Sequence, residues 1–137
     1  MSRKPSLSIP VRVYYEDTDA GGVVYYANYL NFYERARTEL LRELGFEQNE
    51  LITDRDILFA VTNVDIHYRR PACFNDMLEV SAVIREVGRV GLVFEQEMRR
   101  PADGELLSSA TIRVACLSAM EFKPVAIPDE IKEVLQP

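Results

Sequence analysis

Between residues 14 and 29 the chain reads YYEDTDAGGVVYYANY. Three acids (Glu16, Asp17, Asp19), two adjacent glycines (Gly21, Gly22) and five tyrosines crowd into this stretch. A carboxylate can serve as general base toward water or attack an electrophilic carbon itself. Paired glycines let the backbone approach a ligand closely. If a helix follows such a loop, its first N–H groups and the positive end of its dipole can hold a developing oxyanion. These are the parts needed to hydrolyse an activated ester without a histidine. The same residues also suit a plain polar turn in which Asp side chains satisfy backbone donors. Composition leaves both readings open.

The rest of the chain narrows the chemistry. His67 is the one histidine, so a Ser-His-Asp triad, a Cys-His dyad and a two-His metal site could each fill at most one position. Cys73 and Cys116 are far apart and form no CxxC pair, which excludes a disulfide scaffold and a Cys-ligated zinc site. No metal or redox cofactor is expected. Lys and Arg number 16 against 22 Asp and Glu, a formal net charge of −6. An acidic chain argues against nucleic acid as partner, since neutralising phosphates needs a basic face. No run approaches the ~18 apolar residues of a membrane span. The N-terminal residues lack the apolar stretch of a secretory signal. The expectation is a cytoplasmic protein with both thiols reduced.

The elements that must position the loop follow from periodicity. Val11, Val13 and Tyr15 alternate with Arg12, Tyr14 and Glu16, which predicts a short strand before the loop. Tyr29, Phe32, Tyr33, Ala36, Leu40, Leu41 and Leu44 recur at three- and four-residue intervals, which predicts a helix from about Asn28 to Leu44. Asn28 is its expected N-cap and Gly45 its stop. Its wide aromatic stripe needs a broad partner such as a sheet. Everything downstream reads as β: Ile57–Tyr68, Met77–Val87, Val90–Met98 and Leu106–Leu117, with one helical turn at Asp129–Leu135. The strands follow one another through hairpins, so they should be antiparallel. At 137 residues, 47% of them hydrophobic, the chain suits one α+β domain over residues 1–137, a helix against a curved sheet. Apolar residues on both parities of Leu106–Leu117 suggest that a partner subunit hides the second face.

The segment VRVYYEDTDAGGVVYYANYLNFYERARTELL resembles the signature of hotdog-fold acyl-CoA thioesterases of the 4-hydroxybenzoyl-CoA thioesterase type. More narrowly it resembles the tol-pal-associated acyl-CoA thioesterases of Gram-negative bacteria. The likeness continues through RRPACFNDMLEV and the C-terminal strands. It implies a long central helix wrapped by a curved five-stranded antiparallel sheet. It implies hydrolysis of an acyl-CoA to free acid and CoA, where CoA is part of the substrate and not a cofactor. By motif position the family's catalytic carboxylate falls on Asp19, as nucleophile or general base. The oxyanion contact falls on the amide of Tyr26 or a neighbour, and Asp17 matches a loop-stabilising acid. Many tol-pal-associated relatives carry histidine where this chain has Tyr26. The 4-hydroxybenzoyl-CoA enzyme carries tyrosine there. A phenol is a poor proton acceptor at neutral pH, so the departure shifts the chemistry onto Asp19 and the backbone.

Among substrate-binding positions, Gly22 belongs to the loop and Tyr29 borders the expected acyl pocket. The turn at Arg89 corresponds to where family members contact CoA phosphates, with Arg85 a weaker choice. His67 shares a polar strand face with Asn63 and Asp65 and reads as a strand or interface histidine. The cysteines read as packing residues. The resemblance implies a homodimer with sheets side by side and sites at the interface, or a homotetramer. Two alternatives stand beside this reading. One is a thioesterase of the same fold acting on acyl carrier protein, which the negative charge disfavours unless Arg69, Arg70, Arg85 and Arg89 form one patch. The other is a non-catalytic acyl-binding protein of the envelope or phospholipid-synthesis machinery, which would not need Asp19.

Overall fold

The computed structural model describes residues 4–136. In chain order the elements are β1 (Ser6–Arg12), α1 (Asn28–Glu43), α2 (Gln48–Arg55), β2 (Ile57–Tyr68), β3 (Met77–Val87), β4 (Gly91–Arg100), β5 (Glu105–Ser118) and α3 (Asp129–Leu135). The five strands form one sheet in the order β1-β3-β4-β5-β2, and every neighbouring pair is antiparallel. The α+β architecture of a long helix against a five-stranded antiparallel sheet is as expected.

Helix α1 lies on one face of this sheet. Tyr29, Phe32, Tyr33, Ala36, Leu40 and Leu41 are buried on its inner side. They meet Leu78, Val80, Ala82, Ile84, Leu92, Phe94, Met98, Ile112 and Val114 in one core. Tyr33 and Gln96 are paired inside this interface, as burial requires. The Tyr33 hydroxyl donates to Ser108 Oγ at 2.7 Å. Burial pushes its ionisation well above the ordinary phenol value. Gln96 Nε2 donates to the carbonyls of Tyr33 and Ser81. The helix ends as the glycine foretells. Gly45 takes a left-handed φ of 100°, and the amides of Gly45 and Phe46 cap the carbonyls of Arg42 and Leu41, the Schellman arrangement.

Register shifts let long strands keep apolar residues on the helix side. Along β2 the pairing slips between Val61 and Asn63. Phe59 and Val61 therefore share a face with Val64, Ile66 and Tyr68, because one extra residue flips the parity.

Four expectations are corrected. The first strand lies earlier, at Ser6–Arg12, and Tyr15 is exposed. The Asp17 carboxylate accepts the Tyr14 N–H at 2.8 Å, which folds residues 15–17 into a 3₁₀ turn. Asn28 is not the N-cap: Ala27 holds that position without a side-chain bond, and Asn28 turns its amide to the loop. The stretch after α1 is not all β, because Gln48–Arg55 forms α2. Only Leu51 is buried in that helix, so it carries no apolar stripe to read. The second face of β5 is polar over its middle. Ser109, Thr111 and Arg113 pair with His67, Asp65 and Asn63 there. With Ser81, Val83, Glu95 and Glu97, several of these line an open groove of about 440 Å³, so the middle of that face is largely polar. His67 stands in this groove, 3.5 Å from Asp65, in the polar setting expected of it.

The buried Tyr33–Ser108 pair anchors α1 to the sheet. Tyr33→Phe should lower stability by about 1–2 kcal/mol, the effect of leaving a buried hydroxyl without its partner. The midpoint of urea unfolding measures it.

Candidate active site

The loop between β1 and α1 is held by a short internal ladder. Thr18 bridges Val24, and Val23 bridges Cys73. The Asp19 amide donates to Val23 O at 2.9 Å and the Tyr25 amide to Asp17 O at 3.0 Å. Residues 17–19 thus lie opposite residues 23–25, with Gly21 and Gly22 at the tip. Gly22 adopts a φ of 80°, a conformation that a Cβ disfavours. Its carbonyl accepts the Phe74 amide at 3.0 Å, which ties the tip to the segment before β3.

Asp17 is the brace of the site. One oxygen accepts the Tyr14 amide at 2.8 Å. The other accepts Asn28 Nδ2 at 2.8 Å. A single carboxylate therefore links the exit of β1 to the first residue of α1.

Asp19 is exposed at the loop tip. Its Oδ1 accepts the Gly21 amide at 2.8 Å. Among the described residues its Oδ2 accepts no hydrogen bond, which leaves that oxygen open to a ligand. A Cβ at residue 21 would lie 3.2 Å from Oδ1, so Gly21 keeps this carboxylate in place. Sequence reasoning singled out Gly22 and gave Gly21 no separate role. Asp19 lines a cavity of about 350 Å³ together with Tyr15, Thr18, Ala20, Gly22 and Phe74. The rings of Tyr15 and Phe74 pack at 5.9 Å and form its aromatic wall.

Tyr26 lies at the turn into α1. Among the described residues the amides of Tyr26 and Ala27 donate to no acceptor, as expected of the first N–H groups of a helix. Two carbonyls set where they point. Tyr25 O accepts the Asn28 amide at 2.8 Å. The opposite side of that peptide, the Tyr26 N–H, therefore faces away from the helix body. Tyr26 O accepts the Tyr68 hydroxyl at 2.7 Å, which orients the Ala27 N–H in the same way. The Tyr26 side chain is exposed and packs on Tyr25 at 4.9 Å.

The other residues singled out are placed apart. Tyr29 is 3% exposed and accepts the Ala72 amide at 3.0 Å. Burial raises its ionisation, and it supports the segment before β3 without lining the cavity. Arg89 lies in the turn after β3, with its carbonyl accepting the Ile127 amide. Asp19 lies near the opposite end of that strand, where Arg12 pairs with Met77. Eleven residues at ~3.3 Å each separate the two ends, so one chain does not bring Arg89 to Asp19. The four arginines do not gather either. Arg69 and Arg70 follow β2 and bond Leu107 O, while Arg85 is paired with Glu95 at 2.6 Å near the far end of β3. Among the described residues no group of three or more His, Cys, Asp or Glu side chains could hold a metal ion. No helix among them is long and apolar enough to cross a membrane.

Tyr68, Phe74 and Asp76 were missed. Asp76 accepts the Cys73 amide and Arg100 Nη1 and so shapes the segment that carries Phe74. The available signal was RRPACFNDMLEV, which carries part of the resemblance but no acid–base pattern of its own. Cys116 is buried, which raises its thiol, in keeping with packing.

Because Asp17 joins two elements, Asp17→Ala should destabilise the fold by about 1–3 kcal/mol. In a double-mutant cycle with Asn28→Ala the two losses should be non-additive. Thermal unfolding of the four proteins measures both quantities.

Comparison with known proteins agrees with this geometry. The family model of the Thioesterase-like superfamily matches residues 13–135. The acyl-CoA thioesterase YbgC of Haemophilus influenzae is 49% identical over 125 residues, covering 91% of this chain and 90% of the relative. The acyl-CoA thioesterase YbgC of Helicobacter pylori is 34% identical over 131 residues, covering 90% and 96%. The structure of a gentisyl-coenzyme A thioesterase superposes with a TM-score of 0.84 at 27% identity, covering 94% of this chain and 99% of that one. A 4-hydroxybenzoyl-CoA thioesterase complexed with 4-hydroxybenzoyl-CoA has a TM-score of 0.89 at 18% identity, covering 96% and 99%. That last likeness speaks for the fold alone. The loop motif, the sheet order and these matches agree: the chain belongs to the Thioesterase-like superfamily and is a hotdog-fold thioesterase.

Proposed function

We propose that the protein hydrolyses acyl-CoA thioesters to a free acid and CoA at the junction of the Asp19 loop and α1. One observation carries this reading: a carboxylate with a free oxygen and two undonated helix-start amides share one short, braced turn. The thioester carbonyl oxygen sits against the Tyr26 and Ala27 N–H groups. Asp19 Oδ2 takes a proton from water as the water oxygen attacks the carbonyl carbon, or attacks that carbon itself. Charge then develops on the carbonyl oxygen, where preformed dipoles stabilise it most. The C–S bond breaks, and CoA leaves as the thiol after protonation; where Asp19 has attacked the carbon itself, water then cleaves the acyl–aspartyl anhydride to the free acid and the Asp19 carboxylate. The Tyr26 side chain takes no part in proton transfer. The names of the YbgC relatives support CoA as the carrier. The dispersal of the four arginines disfavours an acyl carrier protein, and the free oxygen of Asp19 disfavours a non-catalytic acyl binder. The tol-pal association follows the sequence resemblance.

The active form is a homodimer paired along β2. The sheet has two edges, β1 and β2. Pro10 sits within β1, and proline blunts an edge by removing a donor. Strand β2 has 12 residues, and Val61, Val64 and Tyr68 on it are exposed. A long edge of this kind is a template for a second copy. Pairing about a two-fold axis makes a continuous sheet. Arg89 then serves CoA phosphates only if the assembly brings it to another copy's site.

Two measurements test this. Thiol release from a panel of acyl-CoAs should be catalysed by the wild type, and Asp19→Ala should lower kcat/KM by about 10²–10⁴-fold. Equal rates from the two proteins would refute the role of Asp19. Sedimentation velocity should show a dimer or a larger even assembly. A monomer would refute pairing along β2.

A further inference from the structure

Among the described residues Arg37 is the one buried cation of the core: its exposure is 9%. Among the described residues its guanidinium makes a single hydrogen bond, Nη1 to Gln96 Oε1 at 3.0 Å. It forms no ion pair within 4 Å there. Its positive charge also lies 6.0 Å from the Phe94 ring. Burial lowers its ionisation from the ordinary guanidinium value, against the opposing attraction of the Glu34 carboxylate. The other four N–H groups of this fork have no protein partner among the described residues, and their nitrogens reach the solvent of the cavity.

The guanidinium lines a second cavity, of about 250 Å³, between α1 and the sheet. Leu41, Phe59, Val61 and Phe94 form its apolar walls, and Glu34 stands at its border. This cavity and the proposed site lie along the same two long elements. Strand β2 runs antiparallel to α1, since Tyr68 meets Tyr26 and Tyr29 while Phe59 and Val61 meet Arg37 and Leu41. On α1, residues 27, 30, 34, 37 and 41 follow at three- and four-residue steps, so they share one side. Leu30 on the helix and Val64 and Val61 on the strand are exposed apolar residues. They lie between the helix start and the cavity at Arg37, whose walls include Val61. From Asn28 to Arg37 the helix rises ~14 Å, at ~1.5 Å per residue. The long side chain points back toward the helix start.

We propose that the acyl group lies in a trough along this side of α1, from the helix-start amides to the cavity at Arg37, and that Arg37 sets its specificity. The preferred acyl group has an apolar body and an oxygen acceptor, hydroxyl or carboxylate, at its far end. This rests on the thioesterase reading above and adds the substrate class. An apolar body satisfies the walls, and a terminal oxygen takes the place of water on the Arg37 donors that have no protein partner. A plain alkyl end would leave them unmet, which is the kind of mismatch that a polar pocket rejects.

The test compares three CoA thioesters of matched chain length: alkyl, ω-hydroxy and ω-carboxy. The wild type should show a kcat/KM at least about tenfold higher for one or both oxygenated substrates, the effect of a hydrogen bond to a charged donor. The ratio between the two separates a hydroxyl end from a carboxylate end near Glu34. In Arg37→Gln the preference should fall toward unity, and Arg37→Lys should keep part of it for the carboxylate. An alkyl preference in the wild type, or an unchanged ratio in Arg37→Gln, overturns the proposal. If Arg37→Gln does not fold, the wild-type ratio alone decides. If no thioester is hydrolysed, the thioesterase reading fails separately. Calorimetry with the matched free acids then asks the same question, and equal affinity for alkanoate and dicarboxylate overturns the proposal.

Discussion

The site depends on one carboxylate that does no chemistry. Asp17 uses both oxygens, one on the Tyr14 amide and one on the Asn28 side chain. The first bond turns the chain out of the sheet. The second fixes where the helix begins. Between these two points the loop has little freedom, so Asp19 and the helix-start amides hold a set relation to each other. Preorganised dipoles stabilise charge because they need not reorient as it forms. An exposed loop would not supply that order by itself.

The brace works because α1 cannot move. Its buried tyrosines and leucines fill one face of a curved sheet, and the Tyr33 hydroxyl is paired inside it. Interiors are packed as densely as crystals, so a helix anchored along its length presents a rigid N-terminus. Rigidity is then carried outward to peptides that face solvent. The Tyr68 hydroxyl fixes the Tyr26 carbonyl and thereby the direction of the next amide. A chain with a single histidine thus keeps a hydrolytic arrangement, since orientation of backbone donors replaces a second acid–base side chain.

The two ends of the proposed trough answer different demands. At the helix start the donors are backbone groups that any α-helix leaves unsatisfied. At Arg37 the donors belong to one side chain whose burial the core tolerates with a neutral amide and an aromatic face. The first arrangement suits a reaction common to the family. The second is a feature of side-chain choice and suits discrimination between acyl groups.

The chain alone determined the long helix, four of the five strand positions, the C-terminal helix and the dense loop at Asp19. Those features are written in local periods and in turn residues, which need no partner to be read. The loop motif also carried the family, through acids, glycines and tyrosines at fixed spacing. Tertiary structure decided the rest. Helix α2 has one buried residue and no stripe. The early end of β1 follows from a contact between Tyr14 and Asp17, and the role of Asn28 from a contact with the loop. Tyr68 and Phe74 join the site across a sheet and a long segment, and Arg89 is kept away by the length of β3. Arg37 has the same cause. Its four-residue steps from Tyr33 and Leu41 set it on the buried side of α1, yet only its residue type is written in the sequence, and packing decided that Gln96 and Phe94 meet it. Periodicity records which residues share a face, and only packing decides what that face meets.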